Sequence, residues 1–145
     1  MGLGARRLMA SVLVVDDEPD ILLMLRVALE ASGHDAVLAP DGEAGLSRLR
    51  ESRVDCVLLD VMMPVMDGWG VLDGVAELPD PPPVVIISAR SEDRDVRRAL
   101  SSGAVDYVTK PFSLPKLVEL VETVTDLDAA CRDAHRVSRL DAVAD

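Results

Sequence analysis

Val12-Leu13-Val14-Val15-Asp16-Asp17-Glu18-Pro19 decides how this chain is read. Four consecutive apolar residues, three of them β-branched, suit a strand covered on both faces. Pro19 suits the first turn of a helix, and Ile21, Leu22, Leu25 and Leu29 follow at helical spacing. Gly33 is placed to end that helix in the left-handed conformation. The same alternation then repeats along the chain. Ala36 to Ala39 read as a short second strand, and Pro40-Asp41-Gly42 as a turn before a short helix ending near Ser52. Val54 to Leu59 read as a third strand and Asp60 to Gly68 as a loop. A third helix stops before Pro79. Val84 to Ile87 form a fourth strand, Ser91 is placed to cap a fourth helix, and Gly103 ends it. Val105 to Thr109 form a fifth strand. Ser113 is placed to cap a last helix carrying Leu117, Leu120, Val121 and Val124. Five apolar strands alternating with five helices predict an α/β fold, a parallel sheet between helical layers.

The chain has 145 residues, enough for one domain with a real core. Trp69, Tyr107 and Phe112 are its only aromatic residues, so that core must be aliphatic. The formal net charge is -11. A nucleic-acid binder needs clustered cations, and this balance is the opposite, so no direct nucleic-acid contact is expected. Cys56 sits in an apolar run and reads as a buried small hydrophobe. Cys131 lies far off with no metal-ligand spacing, which fits a reducing cytoplasm. Arg6-Arg7 before Leu8 to Val15 mimics a signal peptide. Ser11, Asp16-Asp17 and the lack of a small-residue cleavage site argue instead for a disordered leader over 1–10. No stretch reaches the roughly 18 apolar residues of a membrane span.

In an open parallel sheet, ligands bind beyond the carboxyl ends of the strands. Asp16 and Asp17 end the first strand, Asp60 the third and Ser88 the fourth, and Lys110 follows the fifth. Three carboxylates, a hydroxyl and an ammonium are therefore expected at one edge. Crowded carboxylates repel, and a hard divalent ion such as Mg²⁺ (Mn²⁺ is an alternative) relieves them. Lys110 adds a compact positive charge. A carboxylate so placed is a nucleophile suited to phosphorus, yielding an acyl phosphate.

Together these residues resemble the receiver domain of bacterial response regulators, the CheY-like partners of histidine kinases. The text that carries the resemblance is Val14-Val15-Asp16-Asp17-Glu18-Pro19, then Leu59-Asp60-Val61-Met62-Met63-Pro64-Val65-Met66-Asp67-Gly68. Ser88-Ala89-Arg90 and Tyr107-Val108-Thr109-Lys110-Pro111-Phe112 complete it. It covers about Ser11 to Asp126, a receiver domain over 11–126. The resemblance implies a flavodoxin-like, doubly wound (βα)5 fold with strand order 2-1-3-4-5 and helices on both faces. It implies Asp60 as phospho-acceptor, with Asp16, Asp17, Asp60 and the backbone carbonyl of Met62 around Mg²⁺. Ser88, the Ala89 backbone and Lys110 would contact the phosphoryl oxygens, and Lys110-Pro111 would be a cis peptide. Ser88 and Tyr107 would form the switch, with Tyr107 turning inward on phosphorylation, and the fourth helix, fifth strand and fifth helix would form the readout surface. Met62 and Arg90 would flank the acceptor and control water access.

A histidine kinase or histidine phosphotransferase is the implied donor, docking in part on Asp20, Ile21 and Met24. Arg94, Arg97 and Arg98 stand out as a surface for an unknown downstream protein, against the alternative of a solvated helix face. The implied setting is a bacterial cytoplasm, with the chain a monomer or a phosphorylation-dependent dimer. An aspartyl-nucleophile phosphatase needs a second acid two residues after the nucleophile, and Met62 stands there. A fragment of a longer transcriptional regulator and a phosphorylation-independent interaction module are the remaining alternatives. Residues 127–145 read as a helical tail, or the start of a linker, with Leu127, Ala130, Ala134, Val137 and Leu140 at three-to-four spacing. Such a tail could extend the fifth helix, self-associate or pack back. Trp69 reads as packing, and His34 and His135 read as lacking convergent partners.

Overall fold

The computed structural model describes residues 9–62 and 67–143. The leader over 1–8, the loop residues Met63 to Met66 and the last two residues of the tail lie outside them. The elements run β1 (Ser11–Val15), α1 (Pro19–Ala31), β2 (Asp35–Ala39), α2 (Gly42–Glu51), β3 (Cys56–Asp60) and α3 (Gly68–Ala76). They continue β4 (Val84–Ser88), α4 (Asp93–Ser101), β5 (Asp106–Thr109), α5 (Leu114–Asp126) and α6 (Ala129–Ala142). All strands pair in parallel, in the order β2-β1-β3-β4-β5. Among the described residues no helix is long and apolar enough to cross a membrane.

Strand side chains alternate between two aliphatic cores, as a period of two requires. Leu13, Val15, Val57, Leu59, Val84 and Ile86 face α2, α3 and α4, meeting Leu46, Val71, Leu72 and Leu100. Val12, Val14, Cys56, Leu58, Val85 and Ile87 face α1 and α5, meeting Leu25, Leu29, Leu117 and Val121. Both faces are covered, which is why the central strands carry no polar residue before their ends. Burial pushes the Cys56 thiol up to about 12, so it stays protonated and inert.

Local chemistry sets most boundaries. Gly33 and Gly103 take φ of 88° and 111° after α1 and α4, where a side chain would be strained. Asp41 caps α2 through the Ala44 N–H and Ser113 caps α5 through the Lys116 N–H. Three expectations need correction. Glu92, not Ser91, is the N-cap of α4, and it makes no side-chain cap bond. Strand β3 starts at Cys56 rather than Val54, since Asp55 turns aside to accept the Ser11 N–H. Ala10 is not leader: it is buried, and its N–H donates to His34 Nδ1 at 3.1 Å.

Gly68 opens α3 directly beneath the β3 end. A Cβ there would stand 2.5 Å from the Asp60 carbonyl oxygen and closer still to the Val61 Cα. Both obstacles are backbone, so they give way only by moving the loop after β3. Gly68→Ala is expected to lower stability by about 1–3 kcal/mol, the cost of overpacking. Urea denaturation checks this, and an unchanged midpoint would mean that the loop does not press on α3.

Candidate functional site

Register brings the site together. Val15 pairs with Leu59, so Asp16 leaves β1 level with Asp60 at the end of β3. Asp60 pairs with Ile87 and Ser88 with Thr109, so Ser88 and Lys110 come next along the same edge. The Lys110 N–H donates to the Ser88 carbonyl at 2.8 Å, and Lys110-Pro111 is cis.

The Lys110 ammonium lies 3.0 Å from Asp16 Oδ2, 3.2 Å from Glu18 Oε1 and 3.4 Å from Asp60 Oδ2. Its pKa is raised: burial pulls it down, but the hydrogen bond and charge of Asp16 and the charge of Asp60 outweigh that. Carboxylate oxygens of Asp16, Asp17, Glu18 and Asp60 fall within 4.8 Å of one another. That set of hard oxygens fits a small divalent cation better than one ammonium balancing it alone. Glu18 is the member the sequence reading left without a role. The signal was present as the third acid of the Asp16-Asp17-Glu18 run. Its N–H donates to Asp16 Oδ1 at 2.9 Å, which aims the Asp16 carboxylate.

Asp16 and Asp60 are nearly buried while Asp17 is exposed. Burial raises both buried carboxyl pKa values above 3.8, and their mutual proximity adds to this for Asp60. Folding therefore strengthens proton binding at both. Their contribution favours the fold below about pH 3.8 and is lost as the pH rises through the raised values. A divalent ion held by these acids would bind the ionised pair, so its benefit would grow over the same window. Mg²⁺ is expected to raise the thermal midpoint more at about pH 8 than at about pH 4. Equal increments in calorimetry at the two values would contradict this.

Around Asp60, the Met62 N–H donates to Asp60 Oδ1 at 2.9 Å. Arg90 Nε donates to the Met62 sulfur at 3.2 Å, so the two flanking side chains meet. Ser88 is fully buried and its hydroxyl accepts the Arg90 N–H at 3.1 Å. Ala89 is exposed beside it. Tyr107 is 5% exposed, and its hydroxyl donates to the Arg90 carbonyl at 2.6 Å. Tyr107 thus holds an inward position beside Ser88 and Arg90. Burial raises its phenol above the ordinary value.

The other candidate residues fall elsewhere. Asp20 and Met24 are exposed on α1, whereas Ile21 is half-buried against the core. Leu23 and Val27, which the sequence reading omitted, are 57% and 58% exposed on that helix. Of the α4 arginines, Arg98 stacks on the Trp69 ring at 3.9 Å and Arg94 pairs with Glu92. Arg97 is half-buried. Neither histidine lacks partners. His34 Nε2 lies 2.8 Å from Glu122, and His135 Nε2 lies 2.8 Å from Asp106. His34 Nδ1 accepts the Ala10 N–H while Nε2 meets Glu122, so the ring ties the residue before β1 to α5.

Comparison with known proteins gives the same picture. Residues 12–122 match the family described as the response regulator receiver domain. PrrA of Mycobacterium tuberculosis, a transcriptional regulatory protein, is 41% identical over 113 residues, covering 78% of this chain and 48% of PrrA. The DNA-binding response regulator MtrA of Mycolicibacterium smegmatis is 42% identical over 110 residues, covering 76% of this chain and 48% of MtrA. The chain thus spans about half the length of these relatives. Among solved structures, the receiver domain of the Francisella response regulator 1452 superposes with a TM-score of 0.77 at 33% identity, covering 80% of this chain and 96% of that one. Chemotaxis protein CheY4 of Vibrio cholerae gives 0.74 at 28% identity, with 80% and 98% covered. With these matches and the strand order, the chain belongs to the response regulator receiver domains of two-component signalling.

Proposed function

We propose that Asp60 accepts a phosphoryl group from a histidine kinase or a histidine phosphotransferase. The carrying observation is one acid, Asp60, set between a cation-binding cluster and Lys110 at the sheet edge. An Asp60 oxygen attacks phosphorus while the bond from phosphorus to the donor nitrogen breaks, and the freed imidazole keeps the electron pair. A divalent ion, Mg²⁺ by the hardness of the donors, would neutralise charge between Asp60 and the incoming phosphoryl oxygens. Asp16, Asp17 and Asp60 would hold it, with the Met62 carbonyl as a further oxygen. Lys110 steadies the same charge from the other side, and Ser88 with the Ala89 N–H takes the remaining oxygens. Arg90 and Met62 limit the water that reaches the acyl phosphate.

The donor docks where α1 meets the acid cluster. Leu23, Met24 and Val27 leave an apolar surface beside Asp20, suited to the helices of a phosphotransfer partner. The switch couples Ser88 to Tyr107 and so to the face of α4 and β5, where Arg94 and Arg97 are offered to a downstream protein. Phosphorylation acts by differential contacts that favour one packing of that face, including a dimer of the chain, in a bacterial cytoplasm.

Mapping the modified residue tests the proposal. The protein is treated with acetyl phosphate and Mg²⁺, and the acyl phosphate is reduced with borohydride to an alcohol. Peptide mass spectrometry is expected to find a homoserine at position 60. Modification spread over other acids, or none, would refute it.

A further inference from the structure

Helix α6 leaves α5 by a break at Leu127 and Asp128 and folds back onto α4 and β5. One stripe of it carries the polar contacts to that face. Arg139 Nε donates to Asp106 Oδ1 at 2.6 Å, and His135 Nε2 lies 2.8 Å from Asp106 Oδ2. A second guanidinium nitrogen of Arg139 donates to the Tyr107 carbonyl at 3.3 Å, on the open edge of β5. Arg136 donates to the Leu100 carbonyl at 3.0 Å, in the last turn of α4. Leu140 and Val143 rest against the core that holds Tyr107.

Two properties set this contact apart from ordinary packing. No residue of α6 is buried, so little apolar area holds it. Asp106, in contrast, is 7% exposed, and both its oxygens are taken up by α6 residues and its neighbour Tyr107 N–H. If α6 left, Asp106 would lose both His135 and Arg139 and keep only the Tyr107 N–H of these contacts. The face therefore offers Asp106 to a cationic side chain, and the helix that supplies one is held mainly by polar contacts.

We infer that the α4–β5 edge is a binding site for a basic helix, and that α6 is its resident, intramolecular occupant. A partner presenting a guanidinium to Asp106 and small apolar groups beyond it reaches this face only by displacing α6. The inference rests on the receiver reading solely in taking this as the face through which the domain signals. The binding itself involves no phosphoryl group, so the test below omits any phosphodonor, and its failure leaves Asp60 chemistry untouched.

The full chain is compared with its His135→Ala/Arg139→Ala variant, both changes lying on a half-exposed helix outside the core. A labelled peptide of residues 128–143 serves as the probe, with fluorescence anisotropy for binding and amide exchange for docking. In the variant, α6 amides are expected to exchange at least about tenfold faster, and the peptide to bind at least about tenfold more tightly than to the unaltered chain. The same peptide with Arg139→Glu is expected not to bind. Unchanged α6 exchange, peptide affinity no better for the variant, or binding that ignores Arg139→Glu would each overturn the inference.

Discussion

Asp60→Asn protein is expected to take up no phosphoryl group from acetyl phosphate at any Mg²⁺ concentration, and to be more stable than the unaltered chain in the absence of divalent ions. The two effects have one cause. Burial and the neighbouring Asp16 both raise the Asp60 pKa, so the metal-free fold penalises its ionised form relative to a neutral side chain. Asparagine keeps the shape and the acceptor for the Met62 N–H but has no charge to repel Asp16. It also has no nucleophilic carboxylate. Intact-mass spectrometry reads the first effect and urea denaturation in EDTA the second. Residual labelling would place the acceptor elsewhere. Lower stability would mean that the Asp60–Lys110 attraction outweighs the repulsion.

Lys110→Ala should have the opposite effect on the fold. It removes the one ammonium that faces Asp16, Glu18 and Asp60 and leaves two of those acids nearly buried. Breaking a buried ion pair from one side costs about 3–5 kcal/mol. The loss here should fall near the low end, because the Lys110 side chain keeps 15% exposure and water screens part of the interaction. Removing one preorganised charge from a phosphoryl-transfer site also slows the step, by about 10²-fold. Excess Mg²⁺ should recover part of the stability, since it discharges the same carboxylates, but not the rate. Denaturation with and without Mg²⁺, alongside the labelling time course, separates the two roles. A labelling rate equal to that of the unaltered chain would remove Lys110 from the chemistry.

What could be read from the chain itself follows from how local the signals are. The runs Val12 to Val15 and Val84 to Ile87 are apolar on both faces, and that alone marks strands buried between two layers. The acids at the strand ends followed once the strands were placed. Periodicity did not dictate the strand order; that came from the resemblance, because an alternating pattern fits several crossover arrangements. The contacts of α6 were illegible for a different reason. Asp106 and its partners His135 and Arg139 are 29 and 33 residues apart. Each taken singly resembles a solvated charge, and a buried acid is betrayed only by the three-dimensional partner that neutralises it. His34 hid in the same way behind the 88 residues to Glu122.

The central claim is electrostatic: the acids at the sheet edge tolerate phosphorus chemistry at Asp60 only with a divalent cation among them. The most direct measurement is the initial rate of Asp60 labelling by acetyl phosphate as Mg²⁺ is titrated from an EDTA-treated start. No measurable labelling is expected at the start, then a saturable rise with added Mg²⁺, with the curve shifted to higher concentration in Asp17→Asn. Labelling that proceeds at the same rate under EDTA would contradict it.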